Sequence, residues 1–448
     1  MAIAASQFSA GIERPLGGLE QFFSLVDQHR SVHFAMIAHI EGSTTISAWR
    51  TALDAVQERH PFFSVGIERR DCCSPYFRTD VNARIPLRIV ASPERTNWQT
   101  EVARELATPF HEQSAPLVRA VLSHGNKGSI IILTAHHSIA DGLSLAYAIR
   151  DLLRALSGKA LDSLPLTLPQ ELLVELSLQR RAAARKPAES APPESGLPVA
   201  FRPLYGALPV IEALQLTPEF TSRLIERSRS EGTTVHGALC AAVALAGREV
   251  SSDWRSAPVR ILSPFNLRSR IGVGDDCGVF VWAATIAIAS NPSKDFWEIA
   301  RAAKSSLSSQ QSLEQVVLGM STLREAMAPG IDAYGASQIL AQAFPCELLL
   351  TNLGNLPCQL DCGDLKLKAL WGPAVFMGFE GEQTVGVTTS NGSICMLHSS
   401  FTPLPWLLER TERILSSICR AEEPVEATVL REIPLATINC GDRCRILG

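Results

Sequence analysis

The sequence predicts an α/β protein built as two lobes, and three observations carry that expectation. Short apolar runs of strand length alternate with segments whose apolar residues recur at i, i+3, i+4 and i+7, the mixed signal of an α/β or α+β chain. Residues 177–203 break both patterns with five prolines and four arginines, so 177–204 reads as a linker between a first lobe, 1–176, and a second, 205–448. A chain of 448 residues has the length of two or three ordinary domains. No period of about 20–50 residues repeats, which excludes solenoids and propellers.

In chain order, residues 34–40 read as a strand ended by Glu41-Gly42-Ser43. Residues 47–58 read as a helix whose buried side is Trp49, Ala52, Leu53 and Val56. His60-Pro61 stops it, because proline restricts the residue before it. A further amphipathic helix is expected over 96–107, with Trp98, Val102 and Leu106 on one side. Residues 129–135 form a near-continuous apolar run, the mark of a strand buried on both faces, and an apolar helix over 143–156 follows. Beyond the linker, strands are expected at 213–216, 259–263 and 279–289, with helices at Pro218–Ser230 and Val235–Val250. Two comparable α/β lobes make a cleft where they meet, and such clefts are favoured sites.

Composition narrows the function. Forty-six per cent of residues are hydrophobic and 19% charged, ample for packed cores and incompatible with a mainly disordered chain. Forty-one basic against 45 acidic residues give a net charge of −4 with no basic stripe, which argues against nucleic-acid binding. The one dense basic stretch, 179–186, reads as a solvated charge run in the linker. No apolar run reaches the ~18–20 residues that span a bilayer. Residues 1–7 lack the basic-then-apolar order of a secretion signal, so a cytoplasmic location without a membrane span is expected. Eleven scattered cysteines suit reduced, mostly buried thiols. Cys358-x3-Cys362 and Cys440-x3-Cys444 lack the two-residue knuckle of a four-thiolate zinc site, and no metal is expected.

Chemistry is concentrated in one segment, His136-His137-Ser138-Ile139-Ala140-Asp141-Gly142, which joins the buried strand to the apolar helix. A side chain at the end of a buried strand is held rigidly at a domain edge, and histidine takes and returns a proton near neutral pH. Asp-Gly starts the helix, whose first amides point back towards the histidines and suit a developing oxyanion. The same residues also have a plainer reading, as histidines ending a strand and an aspartate capping a helix. The conjunction of buried strand, paired histidines, aspartate and glycine weighs for a site.

That His-His-x-x-x-Asp-Gly segment, set between a buried strand and a helix, resembles the signature of the condensation-domain superfamily. The superfamily includes the condensation domains of nonribosomal peptide synthetases, the polyketide-associated and alcohol acyltransferases, and the plant-type BAHD acyltransferases. Further segments are similar to family motifs and occur in the family's order. They are Leu16-Gly17-Gly18-Leu19-Glu20, Glu58-Arg59-His60-Pro61, Ser263-Pro264-Phe265-Asn266-Leu267-Arg268, and Thr351-Asn352-Leu353-Gly354 on the segment that crosses between lobes. The resemblance runs from about residue 15 to about residue 420. It implies two chloramphenicol-acetyltransferase-like lobes forming a V-shaped pseudo-dimer, with the active site in a tunnel between them. By position it implies His137 as general base, His136 as a supporting residue, and Asp141 turned away from substrate to pair with Arg268. It also implies that Gly142 leaves room for the substrate arm, and that backbone amides near Gly142, together with Asn352, meet the oxyanion.

Departures from the family patterns point to one branch. The BAHD Asp-Phe-Gly-Trp-Gly motif is absent, Met377-Gly378-Phe379-Glu380-Gly381 being the nearest segment. Leu143 stands where peptide-forming domains commonly carry tryptophan, and the sequence contains no adenylation region or carrier domain. The expectation is a free-standing acyltransferase of the polyketide-associated or alcohol-acyltransferase kind, working in natural-product or lipid biosynthesis. The implied donor is a phosphopantetheine thioester, on coenzyme A (acyl-CoA) or an acyl carrier protein. The implied acceptor is a small-molecule alcohol or amine, and the product an ester or amide. No cofactor and no covalent acyl-enzyme are expected, since the thioester is already activated and both substrates can be held together. The rival expectation is a non-catalytic, condensation-like module that recruits partners. Elsewhere, the glycines of 272–278 fail the dinucleotide spacing, and no Gly-x-Ser-x-Gly elbow occurs. His236, in an alanine-rich helix, reads as a core histidine, and no cysteine sits in a recognisable cationic setting. His398 ends a strand-like run and is a candidate to line the tunnel.

Overall fold

The structure is a computed structural model in which residues 13–70, 74–180, 199–203, 206–290, 295–327, 330–356 and 362–420 are described. The first half runs β1 (Glu13–Pro15), α1 (Gly18–His29), β2 (Phe34–Glu41), α2 (Ile46–Arg59), β3 (Val65–Glu68), β4 (Tyr76–Thr79), β5 (Leu87–Val90), α3 (Trp98–Ala107), β6 (Val118–His124), β7 (Gly128–Ala135), α4 (Gly142–Leu156) and α5 (Gln170–Arg180). The second half opens with β8 (Val210–Gln215), α6 (Pro218–Ser230), α7 (Val235–Val250), α8 (Ser252–Ser256), β9 (Val259–Asn266), α9 (Arg268–Ile271) and β10 (Val281–Ile288). It closes with α10 (Phe296–Gln310), α11 (Leu313–Ala326), α12 (Ala333–Ala343), β11 (Leu348–Asn355), β12 (Lys366–Ala374), β13 (Gln383–Ser390), β14 (Ser393–Ser400) and α13 (Leu407–Arg420). Each segment expected as a strand or helix is one, and α6 and α7 have the expected bounds.

Two large mixed sheets organise these elements into lobes. The first has the order β12-β2-β7-β6-β5 and the second β10-β9-β11-β13-β14-β8, while β1-β4-β3 forms a small separate sheet. The two-residue period of a strand explains why β2 and β7 are buried on both faces. Phe34, Met36, Ala38 and Ile40 on β2, with Ile131, Leu133 and Ala135 on β7, join the core that holds α1, α2 and α4. The alternate residues Ala35, Ile37, Ile130 and Ile132 pack into a different core, with Ile211, Trp371, Cys395 and Leu397 from β8, β12 and β14. Both faces of the central strands therefore meet second-half residues, Leu262, Leu340 and Leu349 among them on the first face and Ile211, Cys395 and Leu397 on the other. A third core, built around the alanine-rich α7 with α10 and α13, fills the second lobe.

The lobes share a strand. β11 lies in the second sheet, β12 in the first, and β13 in the second again. β12 pairs antiparallel with β2, from Lys366 opposite Glu41 to Ala374 opposite Ala35. It is also fastened to the chain that follows it: Thr388 Oγ donates to Leu370 O, and Asn391 Nδ2 to Leu367 O. Gly386 permits the close approach, since a Cβ there would stand 2.2 Å from Pro373 O. Residues 205–448 thus do not keep to one sheet. Most of the expected linker, 181–198, lies outside the described residues, as do Cys358, Cys440 and Cys444. Among the described residues no helix is long and apolar enough to cross a membrane.

Candidate active site

The loop after β7 is a tight structure fixed from both lobes. The His136 amide donates to Leu117 O at 2.9 Å, the Ile139 amide to His136 O at 3.1 Å, and the Asp141 amide to Gly278 O, from the second half, at 3.1 Å. Asp141 is the N-cap of α4, its Oδ1 accepting from the Ser144 amide at 2.9 Å. The same carboxylate takes both ends of the Arg268 guanidinium, Nη1 to Oδ2 at 2.7 Å and Nη2 to Oδ1 at 3.0 Å, and the Phe280 amide at 3.0 Å. Both partners are buried, with side-chain exposures of 4% for Arg268 and 6% for Asp141. Burial alone raises a carboxyl, but the Arg268 charge and the hydrogen bonds outweigh it and hold Asp141 below the usual carboxylate range. Its lone pairs are committed to the cap and the bridge, which leaves it a structural group in which the two readings of the sequence coincide.

His137 turns the other way, into the space between lobes. Its Nδ1 lies 3.0 Å from Ala140 O, so the neutral ring carries its proton on Nδ1 and leaves Nε2 as an acceptor. The ring stacks on Phe23 of α1, centroids 4.1 Å apart and planes within 4°, and leans on Phe34 at 4.8 Å. Burial pushes its pKa down to about 4, against the opposing pull of the Asp141 charge. At neutral pH the ring is therefore unprotonated, with Nε2 available as an acceptor.

His136 points away from that space. It is fully buried; its Nδ1 accepts from the Ser138 amide at 3.1 Å, and its Nε2 lies 3.4 Å from Asp27 Oδ2. Asp27 also accepts from the amides of Val32 and His33 at 2.7 and 3.0 Å. Burial raises this carboxyl, yet His136 and His33 together hold it far below its ordinary value. His136 is part of a buried anchor behind the loop, tying it to the end of α1.

A cavity of about 200 Å³ opens between the lobes, and His137, Gly142 and Asn352 line it together with Asp141 and Arg268. The remaining wall is almost entirely apolar, with Phe22 and Phe23 on one side and Trp282 and Phe344 among the second-half contributions. Gly142 does not leave an open passage: a Cβ there would stand 2.7 Å from Pro373 Cγ and 3.0 Å from Leu353 Cδ2. The bare position instead lets the crossover segment close on the first turn of α4. Asn352 Oδ1 accepts from the Gly354 amide at 2.8 Å, which leaves its NH2 as a donor. His398 is not among the lining residues. It is buried in β14, with Nδ1 3.1 Å from Glu212 Oε2 and Nε2 2.9 Å from Gln383 Oε1, so its neighbours on β8 and β13 use both nitrogens. His236 is likewise not among the lining residues, its Nε2 lying 2.9 Å from Ser263 Oγ.

The other motifs support this loop. Glu20 pairs with Arg14 at 2.6 Å and accepts from the Gly17 amide at 2.6 Å, fixing the start of α1. Arg59 and His60 converge on the buried Asp151 of α4, at 2.6 and 3.1 Å. The glycine-rich segment 272–278 is a latch: Gly278 binds Asp141 and Ser144, Cys277 Sγ lies 3.4 Å from Ile139 O, and Asp275 meets Arg150 at 2.7 Å. Phe23, Asp27, Asp151 and Trp282 were not legible as site residues, because each acts from an element remote in sequence from the motif it serves.

Two sheet-and-helix lobes that share a strand, with a histidine loop between them, are the architecture of a condensation-type fold, and comparison with known proteins agrees. The condensation domain family model matches residues 20–171, and that of the phthiocerol/phthiodiolone dimycocerosyl transferase C-terminus matches residues 206–367. Each half of the chain is thus similar to members of the condensation-domain superfamily, and the chain is a condensation- or acyltransferase-type domain. It is 24% identical over 285 residues to surfactin synthase subunit 2 of Bacillus subtilis, a match covering 61% of this chain and 8% of that protein. The chain spans only 2% to 8% of the length of the curated relatives it matches. Polyketide synthase associated protein 5 from Mycobacterium tuberculosis superposes with a TM-score of 0.61 at 17% identity, covering 91% of this chain and 98% of that one. The first condensation domain of the CDA synthetase gives 0.64 at 16% identity, covering 91% and 96%. These structural likenesses concern the fold, two chloramphenicol-acetyltransferase-like lobes.

Proposed function

We propose that this protein transfers an acyl group from a phosphopantetheine thioester, on coenzyme A or a carrier protein, to a hydroxyl or amine. The observation that carries the reading is His137, a neutral imidazole with Nδ1 engaged by Ala140 O and its ring in an apolar cavity. In this scheme Nε2 takes the proton of the acceptor as its oxygen or nitrogen bonds to the thioester carbonyl carbon. The carbonyl oxygen becomes an oxyanion, met by the amides of Gly142 and Leu143 at the N-terminus of α4 and by the Asn352 NH2. As the carbon–sulfur bond breaks, the imidazolium returns the proton to the departing thiolate. An ester or amide and a free thiol leave, and His137 is neutral again. The scheme routes no step through a metal or cofactor, and Asp141 with Arg268 acts only by holding the loop.

The family matches support acyl transfer in polyketide or peptide natural-product assembly, since the relatives bear the names of peptide synthases and a polyketide synthase associated protein. The test is acceptor-dependent thiol release from acyl-pantetheine and acyl-CoA, with the ester or amide identified by mass. Thioester binding without release, whatever alcohol or amine is offered, would replace this reading with a binding module.

A further inference from the structure

We propose that the cavity at His137 is built for an uncharged hydrocarbon or aryl group of roughly eight carbons carried by the reacting centre, with Trp282 and Phe344 setting its size limit. The proposal rests on the acyl-transfer reading and specifies its substrate class. Among the described residues, the charged side chains that line the cavity are Asp141 and Arg268, and each already holds the other. Asn266 accepts from the Arg268 amide at 2.9 Å and Asn352 from the Gly354 amide at 2.8 Å, so their carbonyl oxygens are engaged, and their NH2 groups are neutral donors that supply no counter-charge. An ammonium, carboxylate or phosphate drawn in beside His137 would be buried without a counter-charge, which is costly.

The wall is also stiff at Trp282 and Phe344. Trp282 meets Phe344 edge-to-face at 6.3 Å. From behind, α11 supports the indole through Gly319, where a Cβ would lie 2.5 Å from the ring. The ring cannot retreat without moving that helix. An apolar cavity of about 150 Å³ holds one benzene, so the volume of about 200 Å³ here accepts roughly eight carbons. The group could be the acyl tail of the donor or the body of the acceptor, and the experiment separates them.

One series pairs unbranched acyl-pantetheines of increasing length with a short alcohol and a short amine; the other pairs acetyl-pantetheine with alcohols and amines of increasing length. In the series that uses the cavity, kcat/KM rises about fourfold per methylene up to roughly eight carbons and then stops rising. An ω-carboxylate or ω-ammonium on the optimal chain lowers it by roughly a hundredfold or more. Trp282→Leu moves the optimum at least about two carbons longer, and Ala283→Phe moves it shorter. Flat profiles in both series, tolerance of the charged ends, or an optimum that neither variant moves would overturn the proposal while leaving acyl transfer intact. If no thioester is turned over, calorimetry with octan-1-ol and octanamide decides. Binding that Ala283→Phe abolishes keeps the pocket and removes the reaction; no binding removes the pocket as well.

Discussion

The protonation state of His137 is set by the surfaces around its ring. Phe23 covers one face, Phe34 leans on it, and Ala140 O fixes the proton on Nδ1. Burial lowers its pKa to about 4, so the base is already unprotonated at neutral pH. In the free enzyme, kcat/KM should therefore stay flat from about pH 8 to about pH 5 and fall below that, as the ring protonates near 4. A pH–rate profile with its acid limb at about 6.5, the value of an ordinary histidine, would contradict this. Phe23→Ser admits water to the ring, relieves the burial that depresses the pKa, and should move the acid limb upward; Phe23→Tyr should restore the wild-type limb. An unchanged limb in Phe23→Ser would show that the stack does not tune the base. The histidines, Asp141 and Gly142 are legible in the sequence because they are consecutive and sit between a recognisable strand and helix. Phe23 is not, because nothing in the spacing of α1 says which of its residues meets a loop more than a hundred positions away.

At the scale of elements, α4 is pinned at its N-terminus by the Arg268 bridge and the latch at 272–278, and further along by Asp151 with Arg59 and His60. Asp141→Ala leaves a buried guanidinium and Arg268→Ala a buried carboxylate, so each should cost about 3–5 kcal/mol. The double variant leaves no unpaired charge and should cost less than the sum by roughly 0.5–3 kcal/mol, read from denaturant midpoints. Additive losses would mean that the pair does not act as a unit. The outer bridge, Arg150 to Asp275, involves an aspartate 40% exposed at its side chain. Its contribution should fall within about 0–1 kcal/mol and fade with added salt, whereas the inner pair should be nearly insensitive. Strands and helices with strong periodicity, such as α2, β7 and α7, were legible from apolar spacing alone. The crossover of β12 was not: its pairing depends on Gly386 yielding space to Pro373 and on Glu41 and Ala35 of a distant strand, contacts that no local pattern records.

For the whole molecule, the consequence is that neither half forms the site alone. The first half supplies His137, Phe23 and the start of α4, and the second supplies Arg268, Trp282, Asn352 and the strand that completes the first sheet. The α/β class was readable from the alternation of strand and helix patterns, but which second-half elements meet each face of β2 and β7 was not, since apolar residues occupy both faces. His398 illustrates the same limit, because a histidine ending a strand looks alike whether it faces a cavity or, as here, two polar neighbours. The central claim, a shared cavity in which His137 is the base, is tested most directly by comparing acceptor-dependent thiol release in wild type, His137→Ala and His136→Ala, with folding checked by circular dichroism. The account predicts a loss of about 10²–10⁴ in kcat/KM for His137→Ala, with a smaller loss and a lower melting temperature for His136→Ala, whose ring faces Asp27 rather than the cavity. A folded His137→Ala protein as active as wild type would contradict it.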